Sequence, residues 1–320
     1  MPSLPEKAPR IAFMGTADFA VPLLRALAAG PDQIAGVFAP PDRPAGRGRQ
    51  LRAPAVKVAS QELGLALYQP PRASKGEGLD ELRRLAPDLV VVAAFGEILT
   101  EEALSVARLG AVNLHASLLP RYRGAAPIQR ALMAGERVTG VTLQWMAVEM
   151  DAGDIILQQQ VEIGEEEDFG SLHDRLAALG AAAGVEGVAL IRRGAAPRLP
   201  QDGSEATYAP PIGREELVID WSKPARDLAL LIRALSPFPG ARTTRQGEIL
   251  KILSARDGKK TAAQGGMPGE ISELTSDGLW VTSGEGSLLV RRVHPAGRNV
   301  MSAADYLKGY RLEKGERLGV

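Results

Sequence analysis

Asn113 and His115 stand two residues apart at the close of the run Gly110-Ala-Val-Asn-Leu-His115. Alternate residues of a strand share a face, so this spacing predicts an amide and an imidazole projecting together from a strand end. Ligands of open α/β sheets bind beyond such carboxyl ends. An amide N–H beside a titratable ring N–H suits an oxygen that gains negative charge when a carbonyl is attacked. The same two side chains could instead satisfy the backbone of a turn. A second cluster is Glu149-Met-Asp-Ala-Gly-Asp-Ile155. Asp151 and Asp154 fall in a glycine-containing turn between two predicted strands, where aspartate belongs without any catalytic role. The third is the loop Pro40 to Arg52, which sets Arg43, Arg47, Arg49 and Arg52 against Asp42 among prolines and glycines. Its chemistry suits phosphate, although by composition it reads first as a solvated surface loop.

Other chemistries find little to work with. The chain has 320 residues, no cysteine and three histidines. That leaves no disulfide framework and no thiol nucleophile. His115, His173 and His294 lack ligand spacing, so no metal site is expected. The first turn, Met14-Gly-Thr-Ala-Asp18, is not the glycine fingerprint of a dinucleotide site, and neither a P-loop nor a G-x-S-x-G elbow is present. Lys and Arg number 38 against 38 Asp and Glu, which argues against a nucleic-acid coat protein or a polycationic membrane binder. No apolar run approaches the roughly 18 residues that a bilayer needs, and the expectation is a soluble, cytoplasmic chain.

The elements that must position these residues follow from pattern. Strands are predicted at Arg10–Thr16, Ile34–Ala39, Ala66–Gln69, Asp88–Phe95 and Gly110–His115. Helices are predicted at Phe19–Ala29, Ala55–Leu63 and Leu79–Leu85. Asp88-Leu-Val-Val-Val-Ala-Ala-Phe95 is continuous and β-branched, as a strand buried on both faces should be. The alternation implies a doubly wound, mostly parallel sheet of Rossmann-like α/β class. Val138–Met146 and Asp154–Ile163 suggest an antiparallel hairpin-like addition, and Ser171–Arg193 a long helix capped by Ser171. Residues 1–193 would form this catalytic domain. The proline-rich stretch 194–213 reads as a linker, and 214–320 as a small C-terminal β-barrel of short strands.

Taken together, Asn113-Leu-His115-Ala-Ser117-Leu-Leu-Pro120, Tyr122-Arg123-Gly124 and the D-x-G turn resemble the signature of the folate-dependent formyltransferases. The resemblance continues through Ile11-Ala-Phe-Met-Gly-Thr-Ala-Asp-Phe19, Pro41-Asp-Arg-Pro-Ala-Gly-Arg-Gly48, Ala206-Thr-Tyr-Ala209, Ile219-Asp-Trp-Ser222 and Ala304-Asp-Tyr-Leu-Lys-Gly-Tyr310. It covers nearly the whole chain, and the loop and C-terminal motifs look like those of members that act on methionyl-tRNA. The resemblance implies transfer of a formyl group from 10-formyltetrahydrofolate to the α-amino group of methionyl initiator tRNA. It selects Asp151 over Asp154, because the family's aspartate follows its histidine by the 36 residues that separate His115 and Asp151. Asn113 and protonated His115 would then bind the oxyanion, while Asp151 keeps His115 charged and oriented and relays the proton.

By the same resemblance, folate would lie against Phe95, Gly96 and Ile98 and against Ser117, Leu118, Leu119 and Pro120, without a metal. Phe95 departs from the tyrosine that commonly precedes this glycine. The tRNA would be held by Arg43, Arg47, Arg49 and Arg52, by Arg192 and Arg193 at the linker, and by Arg291 and Arg292 of the C-terminal domain. Residues 291–320 carry seven Lys and Arg against three acids, so a neutral chain still has a basic end. A monomer is expected. A sugar-nucleotide N-formyltransferase would keep the catalytic trio but has no use for the arginine loop or the basic C-terminus. A glycinamide ribonucleotide formyltransferase would end near residue 200. An RNA-binding module with a dead catalytic domain would have no need of the intact trio, and a nicotinamide dehydrogenase lacks its glycine fingerprint.

Overall fold

The computed structural model describes residues 8–45, 50–258 and 266–319. Contacts divide the chain into two compact units, one of Met1–Pro127, Val138–Val161 and His173–Ala209, the other of Ile128–Arg137, Glu162–Leu172 and Pro210–Val320.

The first unit is laid down by β1 (Arg10–Gly15), α1 (Val21–Ala28), β2 (Gln33–Phe38), the short hairpin β3 (Arg43–Ala45) and β4 (Gln50–Arg52), α2 (Ala55–Glu62), β5 (Leu67–Tyr68), α3 (Glu77–Leu85), β6 (Leu89–Ala93), α4 (Glu101–Leu104) and β7 (Ala111–His115). Beyond α5 (Pro127–Met133), which falls in the second unit from Ile128 on, β8 (Val138–Trp145) and β9 (Ile155–Glu162) extend the sheet, and α6 (Phe169–Arg192) follows, returning to the first unit at His173. The order is β5-β2-β1-β6-β7-β8-β9, parallel as far as β7, with β8 antiparallel to β7. The chain winds outward from β1 to β5 and then resumes at β6 on the other side, which puts a topological switch point between β1 and β6. Ligands of doubly wound sheets bind at such points. Every residue of β6 is buried, as its unbroken apolar run requires.

Several boundaries differ from expectation, three of them for a clear local reason. The strand expected to reach Phe95 stops at Ala93, because Ala94 takes a left-handed φ of 45° and turns the chain out of the sheet. The helix expected from Phe19 opens as a single 3-10 turn, Asp18–Ala20, before α1. The long helix begins at Phe169, and Asp168 rather than Ser171 caps it, accepting the Ser171 N–H at 3.0 Å. A carboxylate at a helix N-terminus gains from the orphan N–H groups and the positive end of the dipole, so the acidic run does the work assigned to the serine.

In the second unit α7 (Ala225–Leu235) packs with β10 (Ala241–Arg245), β11 (Glu248–Gly258), β12 (Ile271–Thr275), β13 (Gly278–Thr282), β14 (Ser287–Pro295), β15 (Met301–Ser302) and α8 (Ala303–Gly309). The antiparallel order is β10-β11-β14-β13-β12, with β15 on β14. The C-terminal segment bridges the two open edges: Ile271 N–H bonds Glu316 O at 2.8 Å, and Gly319 N–H bonds Thr244 O at 2.8 Å. Trp221 is buried in this core and donates Nε1–H to Thr243 at 3.0 Å. Among the described residues no helix is long and apolar enough to cross a membrane.

The stretch 194–213 is shared between the units. Leu199 pairs with Ile155, and Tyr208 with Arg123, on the first. Pro210 and Pro211 belong to the second, where Arg130 donates to both carbonyls and pairs with Glu216.

Candidate active site

β7 ends at the site, and its alternation sets the first two functional side chains on one face. Asn113 Nδ2 donates to Asp151 Oδ1 at 3.3 Å. His115, 6% exposed, has Nδ1 3.6 Å from Asp151 Oδ2 and Nε2 2.9 Å from the carbonyl oxygen of Tyr122. The three residues nominated from sequence therefore meet. Both ring nitrogens face acceptors, and a carbonyl oxygen can only accept, so Nε2 carries a proton here.

Asp151 is held by donors on every side. Besides Asn113, Oδ1 accepts Gln144 Nε2 at 3.1 Å, and Oδ2 accepts the Gly124 N–H at 2.9 Å. Its backbone is left-handed, with φ 53°, and Gly153 completes the turn. A Cβ at Gly153 would sit 1.8 Å from the Trp145 carbonyl oxygen, so the glycine of D-x-G is there because nothing larger fits. At Gly124 a Cβ would lie 2.8 Å from Ala209 O, and its absence lets this backbone approach the aspartate.

Three further residues belong to this arrangement. Gln144 sits directly opposite Asn113 on β8. Gln201, from the expected linker, donates Nε2 to Asp151 O at 2.9 Å, Gly153 O at 2.8 Å and Gln144 Oε1 at 3.2 Å. Arg123 is buried and donates Nη2 and Nε to Gln201 Oε1 at 2.8 and 3.2 Å. Arg123 lies inside the quoted motif and could have been singled out as a charge among small and apolar residues. Gln201 carries no sequence signal, since its partners are remote in the chain. Gln201→Leu is expected to lower kcat by about 10- to 100-fold, as misplacement of a catalytic group does, with KM values nearly unchanged. Steady-state kinetics on the folded variant checks this.

The segment nominated for folate leaves the sheet beside the trio, because Ala93 pairs with Leu114. Phe95 is buried, Gly96 turns at φ 78°, and Ile98 is 61% exposed. Thr16 Oγ1 holds the Phe95 carbonyl at 2.7 Å, tying the turn to β1 across the switch point. Glu97, which sequence reasoning passed over, fixes the other side by accepting Ser74 Oγ at 2.6 Å and Ala73 N–H at 2.9 Å. Burial works against ionisation at Glu97, but these bonds, with Arg72 and the Ser74 N–H, outweigh it and hold the carboxyl below its ordinary value. A depressed carboxylate adds stability above its unfolded pKa, and that stability is lost as pH falls through the folded value. Glu97→Gln should thus lower Tm at neutral pH, and the gap from wild type should close below about pH 4.5. Thermal melts across that range check it. In the neighbouring loop, Ser117 and Leu119 are buried and Leu118 and Pro120 half-buried. Ser117 Oγ donates to Arg121 O at 2.6 Å, and Thr142 Oγ1 to Ser117 O at 2.6 Å, so the loop is held from within and from β8.

The arginines nominated for tRNA are in different situations. Arg43 and Arg52 are exposed and directly opposite on the β3–β4 hairpin, where like charges repel unless an anion joins them. Arg47 and Arg49 lie outside the described residues. Arg193 and Arg292 are exposed. Arg192 pairs with Asp32 at 2.7 Å, and Arg291 with Glu166 at 3.3 Å. Among the described residues no group of three or more His, Asp or Glu side chains could hold a metal ion.

The model of the formyl transferase family matches residues 9–188, and that of the formyl transferase C-terminal domain matches 211–311. The methionyl-tRNA formyltransferase of Moorella thermoacetica is 51% identical over 310 residues, covering 97% of this chain and 99% of the relative. The chain belongs to the methionyl-tRNA formyltransferase family. Another member, from Syntrophus aciditrophicus, is 45% identical over 97% of this chain and 98% of its own. Among solved structures, the sugar 3N-formyl transferase WlaRD superposes with a TM-score of 0.63 at 17% identity, over 91% of this chain and 99% of that one. At such identity it shares the fold.

Proposed function

We propose that the chain transfers the formyl group of 10-formyltetrahydrofolate to the α-amino group of methionyl initiator tRNA, with Asn113, His115 and Asp151 as its catalytic residues. The observation that carries this reading is the convergence of those three side chains at the end of β7, in a chain whose two parts both match the formyltransferase family. When the amine attacks, the new C–N bond forms, the formyl oxygen gains negative charge and the nitrogen becomes positive. The second N–H of Asn113 is available to that oxygen, because Asp151 takes only one. His115 offers Nε2–H, with the formyl oxygen replacing the Tyr122 carbonyl as its acceptor. Asp151 opposes the positive charge of the ring and fixes its orientation. As the bond from carbon to the folate N10 breaks, the proton shed by the amine passes to N10, with Asp151 and His115 the groups placed to carry it.

The turn Phe95–Leu99 fits the folate, because Ala94 and Gly96 turn its backbone out of the sheet and Glu97 and Thr16 fix it there. Tight backbone anchoring is what recognition of a ring edge by peptide groups needs. The arginines of the Pro41–Arg52 loop and the C-terminal domain supply the tRNA grip, and the chain works as a monomer in the cytoplasm. The test supplies 10-formyltetrahydrofolate and compares methionyl initiator tRNA, methionyl elongator tRNA and an amino-sugar nucleotide. Transfer confined to the initiator supports the reading, and transfer to the sugar nucleotide overturns it.

A further inference from the structure

Arg123 is buried, and nothing in the chemistry above uses its charge. Backbone bonds on either side fix where its side chain starts: its N–H donates to Thr207 O at 2.8 Å, and its carbonyl accepts the Ala209 N–H at 2.7 Å. Nη1 lies 3.5 Å from Glu149 Oε1, but that side chain is 72% exposed. A buried cation is costly without a close partner, and an ion pair so long and so wet offsets little of that cost. What Arg123 does reach is Gln201 Oε1, with Nη2 at 2.8 Å and Nε at 3.2 Å. A guanidinium can only donate, and the carbonyl oxygens of Asp151 and Gly153 can only accept. Gln201 is therefore fixed at both ends, with Oε1 towards the arginine and Nε2–H towards Asp151 O, Gly153 O and Gln144 Oε1. Gln144 Oε1 thus meets a donor, which leaves Nε2 to donate to Asp151 Oδ1 at 3.1 Å. Every bond points the same way, from the cation to the carboxylate.

Two amides aligned in this way polarise one another, which strengthens each bond. They also leave no alternative, because turning either amide over sets donor against donor or oxygen against oxygen. We propose that Arg123 is a positioning residue for formyl transfer, which through Gln201 and Gln144 sets the place of the Asp151 carboxylate and of the turn that bears it. This rests on the methionyl-tRNA reading and adds to it a side chain that acts through two others.

The test measures kcat and KM on the full chain, with methionyl initiator tRNA and 10-formyltetrahydrofolate as substrates. Arg123→Met is expected to lower kcat about 10- to 100-fold, as misplacement of a catalytic group does, with both KM values nearly unchanged. Arg123→Lys keeps one of the two donors to Gln201 Oε1 and should lose less, about three- to tenfold. Gln201→Glu separates positioning from packing. Its carboxylate still answers Arg123 but has no N–H for the three oxygens beyond, so kcat should fall as far as in Gln201→Leu. Because Arg123 and Gln201 act along one line of bonds, Arg123→Met with Gln201→Leu should lose no more than the worse single variant. The control Arg198→Met removes a cation that faces Asp154 of the same turn, outside that line, and should keep wild-type kcat. Melting temperatures establish that each variant is folded at the assay temperature, and Arg123→Lys serves if Arg123→Met is not. An Arg123 or Gln201→Glu variant with wild-type kcat, a double variant that loses the product of the single losses, or an equal loss in Arg198→Met overturns the proposal. A wild-type chain that does not formylate the tRNA overturns the parent reading instead.

Discussion

His115→Ala is expected to lower kcat by at least 10²–10³, and Asn113→Ala by as much, the usual loss when one donor to a developing oxyanion is removed. Both side chains end at a strand terminus whose fold does not depend on them. Leu114 and Val112 bury the other face of β7, and the strand keeps its pairing to β6 and β8. The Tm of each variant should therefore stay near that of wild type while turnover collapses. On the proposed mechanism, in which both donors serve one oxygen, the double variant should lose less than the product of the single losses. Steady-state kinetics with melting curves separates this from a folding defect. Near-wild-type turnover in either variant sinks the oxyanion assignment.

Asp151→Asn should be worse for the molecule than its small change of shape suggests. Oδ1 receives N–H groups from Asn113 and Gln144, while Oδ2 receives the Gly124 N–H and faces His115 Nδ1. An amide has one oxygen, so its NH₂ meets a donor whichever way it is turned. A buried group left without a partner costs about 1–3 kcal/mol. The ring of His115 also loses the carboxylate that faces it. We expect kcat to fall by about 10²–10⁴. Tm should fall as well, by roughly 2–4 °C for each kcal/mol lost. A fall in kcat with unchanged Tm would mean that the donors around the carboxylate can turn away from it, which the tethering of Gln144 by Gln201 opposes.

What was legible in the sequence was whatever is written locally. β6 announced itself by a continuous β-branched run, and the parallel class by strand and helix alternation. Asn113 and His115 could be placed on one face because a strand repeats every two residues. Asp151 was separable from Asp154 only through family resemblance, since both satisfy the chemistry of the turn. The structure supplies the physical reason: Asp151 adopts the left-handed conformation that turns its carboxylate towards β7, whereas Asp154 faces Arg198 at 3.9 Å. Gln201 is illegible because its three acceptors lie in one stretch, Gln144 to Gly153, that is remote from it in the chain. The arginines illustrate the same limit. Composition cannot tell Arg291, which meets Glu166, from Arg43, which stands directly opposite Arg52 on the hairpin. The C-terminal motifs Ile219–Ser222 and Ala304–Tyr310 turn out to build the fold: Trp221 and Tyr306 are buried, and the Tyr306 ring lies tilted against that of Tyr310 with centroids 4.3 Å apart.

The most direct measurement is a single-turnover quench with the chain in excess over methionyl initiator tRNA and 10-formyltetrahydrofolate saturating. Wild type should convert the bound tRNA to its N-formylmethionyl form in one exponential phase. His115→Ala should bind the tRNA with the same Kd and convert it at least about 10² more slowly. A wild-type chain that leaves the bound tRNA unformylated, or a His115→Ala variant that formylates it at the wild-type rate, would contradict the account.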